Sequence, residues 1–125
     1  MRNMSFSLTT DQVRARMKTV TRRLGWRSLK PGDRIRAIVK GQGLKKGEKV
    51  QPLAVLLITS VRRERLSKMI SDPGYGSVEV VLEGFRGTAP AAFVAMFCEA
   101  NGCQRGVFVT RIEFEYPCGT TGDAR

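Results

Sequence analysis

The chain has 125 residues, of which 42% are hydrophobic, and it carries 22 Lys and Arg against 11 Asp and Glu. This length suits one compact domain around a single core, and it is too short for two independent domains. The sequence contains no histidine, which excludes Ser-His-Asp and Cys-His catalysis. It also has no apolar run near the roughly 20 residues that a membrane span requires.

The positive charge is concentrated in the first two-fifths of the chain. Residues 1–50 hold 14 Lys and Arg against 3 acidic residues, whereas residues 51–125 hold 8 of each sign. Such asymmetry creates a one-sided field that attracts polyanions. We therefore expect RNA, or a nucleotide or nucleoside, as the partner, with DNA or an acidic protein surface as alternatives. The simplest other explanation is that the charge only promotes solubility.

The three cysteines, Cys98, Cys103 and Cys118, form no CxxC pair. A structural zinc site needs four nitrogen or sulfur ligands, so we predict no metal and no other cofactor. Reduced thiols, together with a start that lacks an apolar signal segment, predict a cytoplasmic protein, and we expect no membrane among its partners.

The beginning of the chain predicts a strand, a short helix and a second strand. Alternating polar and apolar residues at 5–8 indicate the first strand, and residues 9–12 supply hydroxyls and an acid that suit a helix start. Val13 and Met17, four residues apart, would form the apolar side of this helix. The β-branched residues at 19–21 then favour an extended chain, so the helix must end near residue 18.

The next part of the chain predicts strands joined by turns and loops. Residues 30–33, KPGD, are a turn signature, because proline sets the turn's φ and glycine accepts a positive φ. Residues 34–40 alternate apolar and cationic side chains, which is typical of a strand with one wet face. Residues 41–48 form a basic loop, and residues 53–61 predict a strand that is buried on both faces.

The second half predicts helices followed by a final strand. Residues 66–70 suggest a short helix that a turn at 72–76 closes, whereas residues 77–85 fit either a strand or a few helical turns. Thr88 would cap a longer helix. The apolar stripe of this helix consists of Phe93, Met96, Phe97 and Ala100. Residues 107–116 alternate as a strand before a polar tail at 118–125, and this element order favours a small curled sheet or barrel.

Lys18, Thr21 and Glu83 are the candidates for chemistry. Because the chain is predicted to be extended from residue 19, the side chains of Lys18 and Thr21 can converge only if the helix ends near Lys18 and the chain turns into the strand there. A partly buried lysine among cations can lose its proton near neutral pH, and a neutral lysine is a suitable base for a threonine nucleophile. Glu83, set among apolar residues, would hold the pair. The plainer explanation is a solvated basic face, ordinary strand threonines and a surface carboxylate.

Other residues suggest binding. Trp26, Tyr75 and Phe85 present aromatic faces on which bases stack, although core packing explains each equally well. A metal-dependent ribonuclease would require a cluster built from Glu64, Glu79 and Glu83, and these residues are scattered in the sequence.

The order and spacing of four segments resemble the activating-signal-cointegrator homology (ASCH) domain, a relative of the PUA RNA-binding fold. These segments are KTVTRR at 18–23, LKPGDRIRA at 29–37, EGF at 83–85 and VTRIEFEY at 109–116. The resemblance covers residues 4–117 and is closest to small stand-alone members from bacteria and phages. It implies an α+β fold that is mainly β, with a small PUA-like barrel, flanking helices and a basic cleft in a single domain over residues 1–125.

The resemblance also implies a site. In family members that remove acyl groups from N4 of cytidine, a lysine, a threonine three positions later and a distant glutamate are catalytic, and these match Lys18, Thr21 and Glu83. Other members bind or cleave RNA. The family often has glycine two residues before the lysine, where this chain has Arg16, a cation that would either narrow the cleft or favour phosphate. The predicted nucleic-acid or nucleotide contacts are Arg16, Thr19, Arg22, Arg23, Arg27, Lys45, Lys46 and Phe85.

These observations predict an RNA- or nucleotide-binding ASCH domain. Two alternatives stay open, namely an N4-acylcytidine amidohydrolase and an adaptor or inhibitor that binds an acidic protein surface.

Overall fold

A computed structural model describes residues 1–41 and 45–117 of the chain. In these residues the strands are β1 (Arg2–Ser5), β2 (Val20–Arg23), β3 (Arg34–Ile38), β4 (Pro52–Arg65) and β5 (Phe108–Glu115). The helices are α1 (Thr10–Arg14), α2 (Lys68–Ser71), α3 (Pro73–Leu82) and α4 (Pro90–Asn101).

The strands form one mixed sheet in the order β1-β3-β4-β5-β2. β1 runs parallel to β3, and the other neighbours are antiparallel. The long strand β4 has an irregularity between Ile58 and Ser60 where it pairs with β5, and such bulges bend a strand and increase its twist. The sheet curls into a half-barrel with β1 and β2 as its edges, so the predicted α+β, mainly β architecture is confirmed.

Two apolar clusters hold the sheet and helices together. The first includes Met4, Phe6, Val13, Ile35, Leu56, Ile58, Ile112 and Phe114. The second includes Leu66, Met69, Val80, Phe93, Val94, Phe97 and Val109. It packs the helices against the end of β4 and the start of β5. Burying each large side chain contributes roughly 1.5–3 kcal/mol, so these clusters set the position of the helices relative to the sheet.

Residues 72–76 begin a helix, whereas the sequence predicted a turn there. Asp72 is the N-cap of α3, and its side chain accepts a hydrogen bond from the backbone N–H of Tyr75 at 3.3 Å. Pro73 occupies the first helical position, where its missing N–H costs nothing. The ambiguous segment 77–85 is therefore the continuation of this helix to Leu82.

Several local predictions were wrong in detail. The first strand is residues 2–5 and not 5–8, and Met17 is 60% exposed, so it forms no apolar face with Val13. The N-cap of α4 is Ala89 and not Thr88. In β4 only alternate residues such as Leu56 and Ile58 are fully buried, because the other face carries partly exposed side chains.

Cys118, the tail at 118–125 and residues 42–44 of the basic loop lie outside the described residues. Among the helices of residues 1–41 and 45–117, none has the length and apolar character needed to cross a membrane.

Candidate functional site

A cleft of about 280 Å³ lies where the loop after β1, strand β2, the α3–α4 connection and α4 meet. Six of the predicted site residues line this cleft. They are Lys18, Thr21, Arg22, Arg23, Glu83 and Phe85. The cleft thus gathers a lysine, a hydroxyl, two arginines, a carboxylate and an aromatic ring from two parts of the chain, residues 18–23 and 83–85.

The junction between α1 and β2 places Lys18 at the cleft. After α1 ends, Arg16 adopts φ 60°, and the backbone N–H groups of residues 17 and 18 both donate to Gln12 O at 2.9 and 3.3 Å. The Lys18 carbonyl accepts a hydrogen bond from the Tyr116 hydroxyl at 2.6 Å. The predicted helix-to-strand junction is therefore present. Arg16 therefore has the left-handed conformation that glycine adopts without strain.

The end of α3 places Glu83 opposite Lys18. Gly84 has φ +95°, and a Cβ there would lie 2.9 Å from the Gln12 side chain, so glycine permits both the turn and the close approach. The Gln12 side-chain amide donates to Gly84 O at 3.2 Å. This contact ties α1 to the end of α3 and fixes the distance between the two charged side chains.

Lys18 and Glu83 form a buried ion pair. Lys18 Nζ donates to Glu83 Oε1 and to Glu83 O, each at 2.7 Å, and both side chains are 3% exposed. Burial lowers the pKa of Lys18 below its ordinary value, although the Glu83 carboxylate opposes the change. Arg22 and Arg23 lower this pKa further. Lys18 therefore gives up its proton more readily than a lysine in water.

Thr21 lies beside this pair in the cleft but is not bonded to Lys18. Its hydroxyl oxygen accepts a hydrogen bond from Arg23 Nε at 3.0 Å, and the residue is 3% exposed. A catalytic contact between Lys18 and Thr21 would require a rearrangement when a ligand binds, as is common for catalytic hydrogen bonds in unliganded sites.

Arg22 is enclosed by three carboxylates. Its side chain is 0% exposed, and it donates to Glu83 Oε2 at 3.1 Å and to Glu64 Oε2 at 3.0 Å, with a third bond to Glu79 Oε1. These carboxylates raise the pKa of Arg22 against the effect of burial. Because its charge is already balanced, Arg22 is less suited to a phosphate contact than the sequence suggested.

The charge network behind the cleft was not predicted from the sequence. Arg111 donates from Nε and Nη2 to the two Glu79 oxygens at 2.7 and 3.0 Å, while Arg62 and Tyr75 both donate to Glu64. The carboxylates considered as metal ligands therefore bind arginines, and no cluster of acidic or thiol side chains in the described ranges is arranged to hold a metal ion.

Arg23 has a different environment from Arg22. Its guanidinium lies over the Phe6 ring, with Cζ 4.7 Å from the ring centroid. Within the described part of the chain, the ion pairs include none to Arg23. Burial lowers the pKa of Arg23 to about 10, and Glu83 opposes this change only in part.

The remaining predicted residues have mixed positions. Phe85 lines the cleft, with its ring centroid 5.9 Å from Lys18 Nζ. Thr19 is held by its backbone, since its N–H donates to Leu82 O and its carbonyl accepts from Phe114 N, each at 2.9 Å. Five of the predicted contact residues do not line the cleft, namely Arg16, Thr19, Arg27, Lys45 and Lys46.

Two walls of the cleft were not anticipated. One is the end of β1 and the segment after it, residues 5–9, of which residues 5–8 were predicted to be a strand and Thr9 part of a helix start. The other is α4, where Met96 and Asn101 join the buried Phe93 and Phe97 in lining the cleft. The apolar spacing of α4 predicts core packing, and a single sequence contains no signal that the same stripe also faces a cavity.

Comparisons with known proteins identify the fold. No protein-family model matches the sequence, and no curated protein gives a significant match. Among solved structures, hypothetical protein PH0355 is similar with a TM-score of 0.59 and 16% identity, covering 93% of this chain and 96% of that one. The ASCH domain from Lactobacillus crispatus JV V101 is similar with a TM-score of 0.51 and 16% identity, covering 92% of this chain and 78% of that one. The chain therefore has the fold of an ASCH domain, as its sequence motifs indicated.

Proposed function

We propose that the cleft binds a single nucleoside or nucleotide unit, either free or as one base of an RNA strand. The observation that carries the proposal is the enclosure of Phe85, Thr21 and the Lys18–Glu83 pair in one cleft of about 280 Å³. Ligand pockets are typically about 300–1,000 Å³. At about 280 Å³ the cleft is just below that range, so it suits one base and its sugar and is too small for a helical stretch of RNA.

The lining supplies the two kinds of contact that a base requires. Phe85 offers an aromatic face, and its ring is held edge-on against Phe93 with centroids 5.5 Å apart. Stacking on such a ring contributes about 1–3 kcal/mol per base. The Thr21 hydroxyl and the charged pair supply donors and acceptors for the base edge.

The exposed cations outside the cleft would attract the phosphates of the ligand instead of binding its base. Arg27, Lys45 and Lys46 are exposed and do not line the cleft, and they belong to the basic first 50 residues. They would attract a phosphate backbone without reading sequence, and their contribution should weaken as salt concentration rises.

Calorimetric titration with cytidine and with a short single-stranded RNA tests the proposal. Phe85→Ala should weaken binding by about 5- to 150-fold, which is the stacking contribution expressed as affinity. Phe108→Ala is the matched control, because Phe108 is 47% exposed and lies outside the cleft. Equal affinities for the two variants, or no binding by the unmutated protein, would contradict the proposal.

A second candidate, hydrolysis of an N4-acylated cytosine nucleoside, is favoured by the environment of Lys18. The buried lysine has a lowered pKa, bonds to Glu83 and shares the cleft with Thr21. In this mechanism neutral Lys18 removes the hydroxyl proton while Thr21 Oγ1 attacks the acyl carbon, and the resulting ammonium protonates the leaving amine. Water then hydrolyses the acyl-threonine ester, and Glu83 orients Lys18 throughout.

Chromatography of N4-acetylcytidine after incubation with the protein tests this activity. The unmutated protein should release cytidine and acetate, whereas Lys18→Ala and Thr21→Val should lower the rate at least ~100-fold, the usual size of general-base contributions. Thr59→Val is the control for the hydroxyl, because Thr59 is exposed and does not line the cleft. The absence of product with the unmutated protein would exclude the mechanism and leave the binding proposal standing.

A further inference from the structure

Arg23, which is half-buried, differs from the fully buried cations of the molecule in lacking a counter-charge. Lys18 pairs with Glu83, Arg22 with three carboxylates, and Arg111 with Glu79. For Arg23, residues 1–41 and 45–117 place no carboxylate oxygen within 4.0 Å of the guanidinium. The cleft therefore contains one positive charge that the described chain does not neutralise.

The guanidinium of Arg23 is held in place by contacts that leave its outer edge free. Nε donates to Thr21 Oγ1 at 3.0 Å, and the plane lies over Phe6, which is itself 2% exposed. The two terminal nitrogens have no acceptor in the described part of the chain, and neither is sealed from solvent. These donors therefore form a fixed fork at the cleft.

The electrostatics around Arg23 favour an anion. The nearby Glu83 carboxylate accepts hydrogen bonds from both Lys18 and Arg22, which offsets its repulsion of a second negative group. Burial lowers the pKa of Arg23 to about 10, so the group remains charged at neutral pH while having lost part of its hydration. An anion that binds the guanidinium in place of the lost water offsets the free-energy cost of this desolvation.

The shape of the fork favours phosphate. Parallel N–H groups of a guanidinium match two oxygens of a phosphate, and such charge-assisted pairs are among the strongest hydrogen bonds in proteins. Ser7 and Thr9 line the same cleft and add hydroxyls. A preformed cation loses little conformational freedom on binding, which further increases its contribution to affinity.

We propose that Arg23 forms a phosphate subsite, and that the ligand of the cleft is a phosphorylated nucleoside and not a free nucleoside. The phosphate could belong to a nucleoside monophosphate or to the terminal nucleotide of a short RNA, since both present the same group. This inference rests on the proposed function, in which the base occupies the part of the cleft beside Phe85.

The test compares ligands that differ only in phosphate. Calorimetric titrations use cytidine, cytidine 5′-monophosphate, and a cytidine dinucleotide with and without a 5′-phosphate. The unmutated protein should bind the monophosphate at least ~10-fold more tightly than cytidine, which is the scale of one charge-assisted pair. A similar gain for the phosphorylated dinucleotide would identify RNA ends as ligands, whereas its absence would restrict the ligand to the free nucleotide.

The Arg23→Gln variant isolates the subsite. It should reduce the monophosphate-to-cytidine affinity ratio to less than ~2-fold, the level expected when the charge-assisted pair is lost. Arg105→Gln removes the same charge at an exposed position outside the cleft and should leave the ratio unchanged. If Arg23→Gln does not fold, as judged by circular dichroism, Arg23→Lys keeps the charge without the fork and should lower the ratio several-fold.

The outcomes separate the subsite from the proposed function. Equal affinities for cytidine and its monophosphate, or a monophosphate-to-cytidine affinity ratio that is unchanged in the Arg23 variants, would overturn the subsite alone. Failure of all four ligands would overturn the nucleoside proposal, and a parallel titration with inorganic phosphate would then test the subsite directly. A phosphate-dependent shift of the Arg23 Nε–H resonance would support the subsite, and its absence would overturn it.

Discussion

Replacing Arg22 by methionine tests whether the buried charge network stabilises the protein. The side chain is 0% exposed and bonds to Glu64, Glu79 and Glu83. Methionine fills a similar volume without charge, so the variant leaves three carboxylates with one cation fewer. Breaking a buried ion pair by removing one partner typically costs about 3–5 kcal/mol.

The contacts indicate where in that range the loss should lie. Each carboxylate keeps another partner, since Glu83 keeps Lys18, Glu79 keeps Arg111 and Glu64 keeps Tyr75. Removal of Arg22 also removes a buried Nε–H that has no acceptor, and such an unsatisfied donor costs roughly 1–3 kcal/mol. We therefore expect a loss near the lower end, about 3 kcal/mol, out of the 5–15 kcal/mol that is usual for a domain.

Urea unfolding followed by circular dichroism measures this loss. The matched control is Arg62→Met, because Arg62 also donates to Glu64 and Tyr75 but its side chain is 45% exposed. Exposed ion pairs contribute about 0–1 kcal/mol, so this control should change stability little. A loss of less than about 1 kcal/mol for Arg22→Met, or one no larger than that of the control, would refute a stabilising role for this network.

Three further substitutions test separate parts of the structure, each by urea unfolding. Burial lowers the pKa of Lys18, so between that lowered pKa and 10.5 the unfolded chain binds more protons than the folded chain. The free energy of unfolding of the unmutated protein, relative to that of Lys18→Met, should therefore rise with pH in this range. A difference between the two proteins that does not change with pH would argue against the lowered pKa. Gly76→Ala should cost several kcal/mol because a Cβ would overlap the Met69 carbonyl. Gly74→Ala, where a Cβ would make only an ordinary contact with Asp72 Oδ1 at 3.9 Å, should gain up to about 1 kcal/mol, and equal effects of the two substitutions would contradict this packing. Asp72→Ala should cost about 0.5–2 kcal/mol by removing the N-cap of α3 while Asp72→Asn costs less, and similar losses for both would rule out the cap.

The local features of the sequence predicted much of the fold. The β-branched run at 19–21 indicated β2, the apolar spacing after residue 90 indicated α4, and the KPGD turn preceded β3 as expected. Predictions failed where one pattern suits two structures. Residues 72–76 contain the proline and glycines of a turn, yet the same Asp-Pro pair is an N-cap and a first helical residue.

The candidate site was predicted in part, for a different reason. Lys18 and Glu83 were paired through motif resemblance and the chemistry of a buried lysine, and the structure joins them by a hydrogen bond of 2.7 Å. Arg22 and Arg23 looked equivalent in the sequence, as adjacent cations in a basic run. Because successive strand residues face opposite sides, Arg22 reaches the carboxylates of α3 and β4 while Arg23 shares a side with Thr21.

By itself, the sequence determined the concentration of positive charge before residue 51, indicated most of the elements and proposed the Lys18, Thr21 and Glu83 set. Only the tertiary structure decided which charges are neutralised. Periodicity and propensity act over a few residues, whereas the partners of Arg22 are 42 to 61 positions away and are brought to it by the curl of the sheet and the docking of α3. The same packing leaves Arg23 at the cleft without a carboxylate partner in the described residues, because every nearby carboxylate already binds another cation.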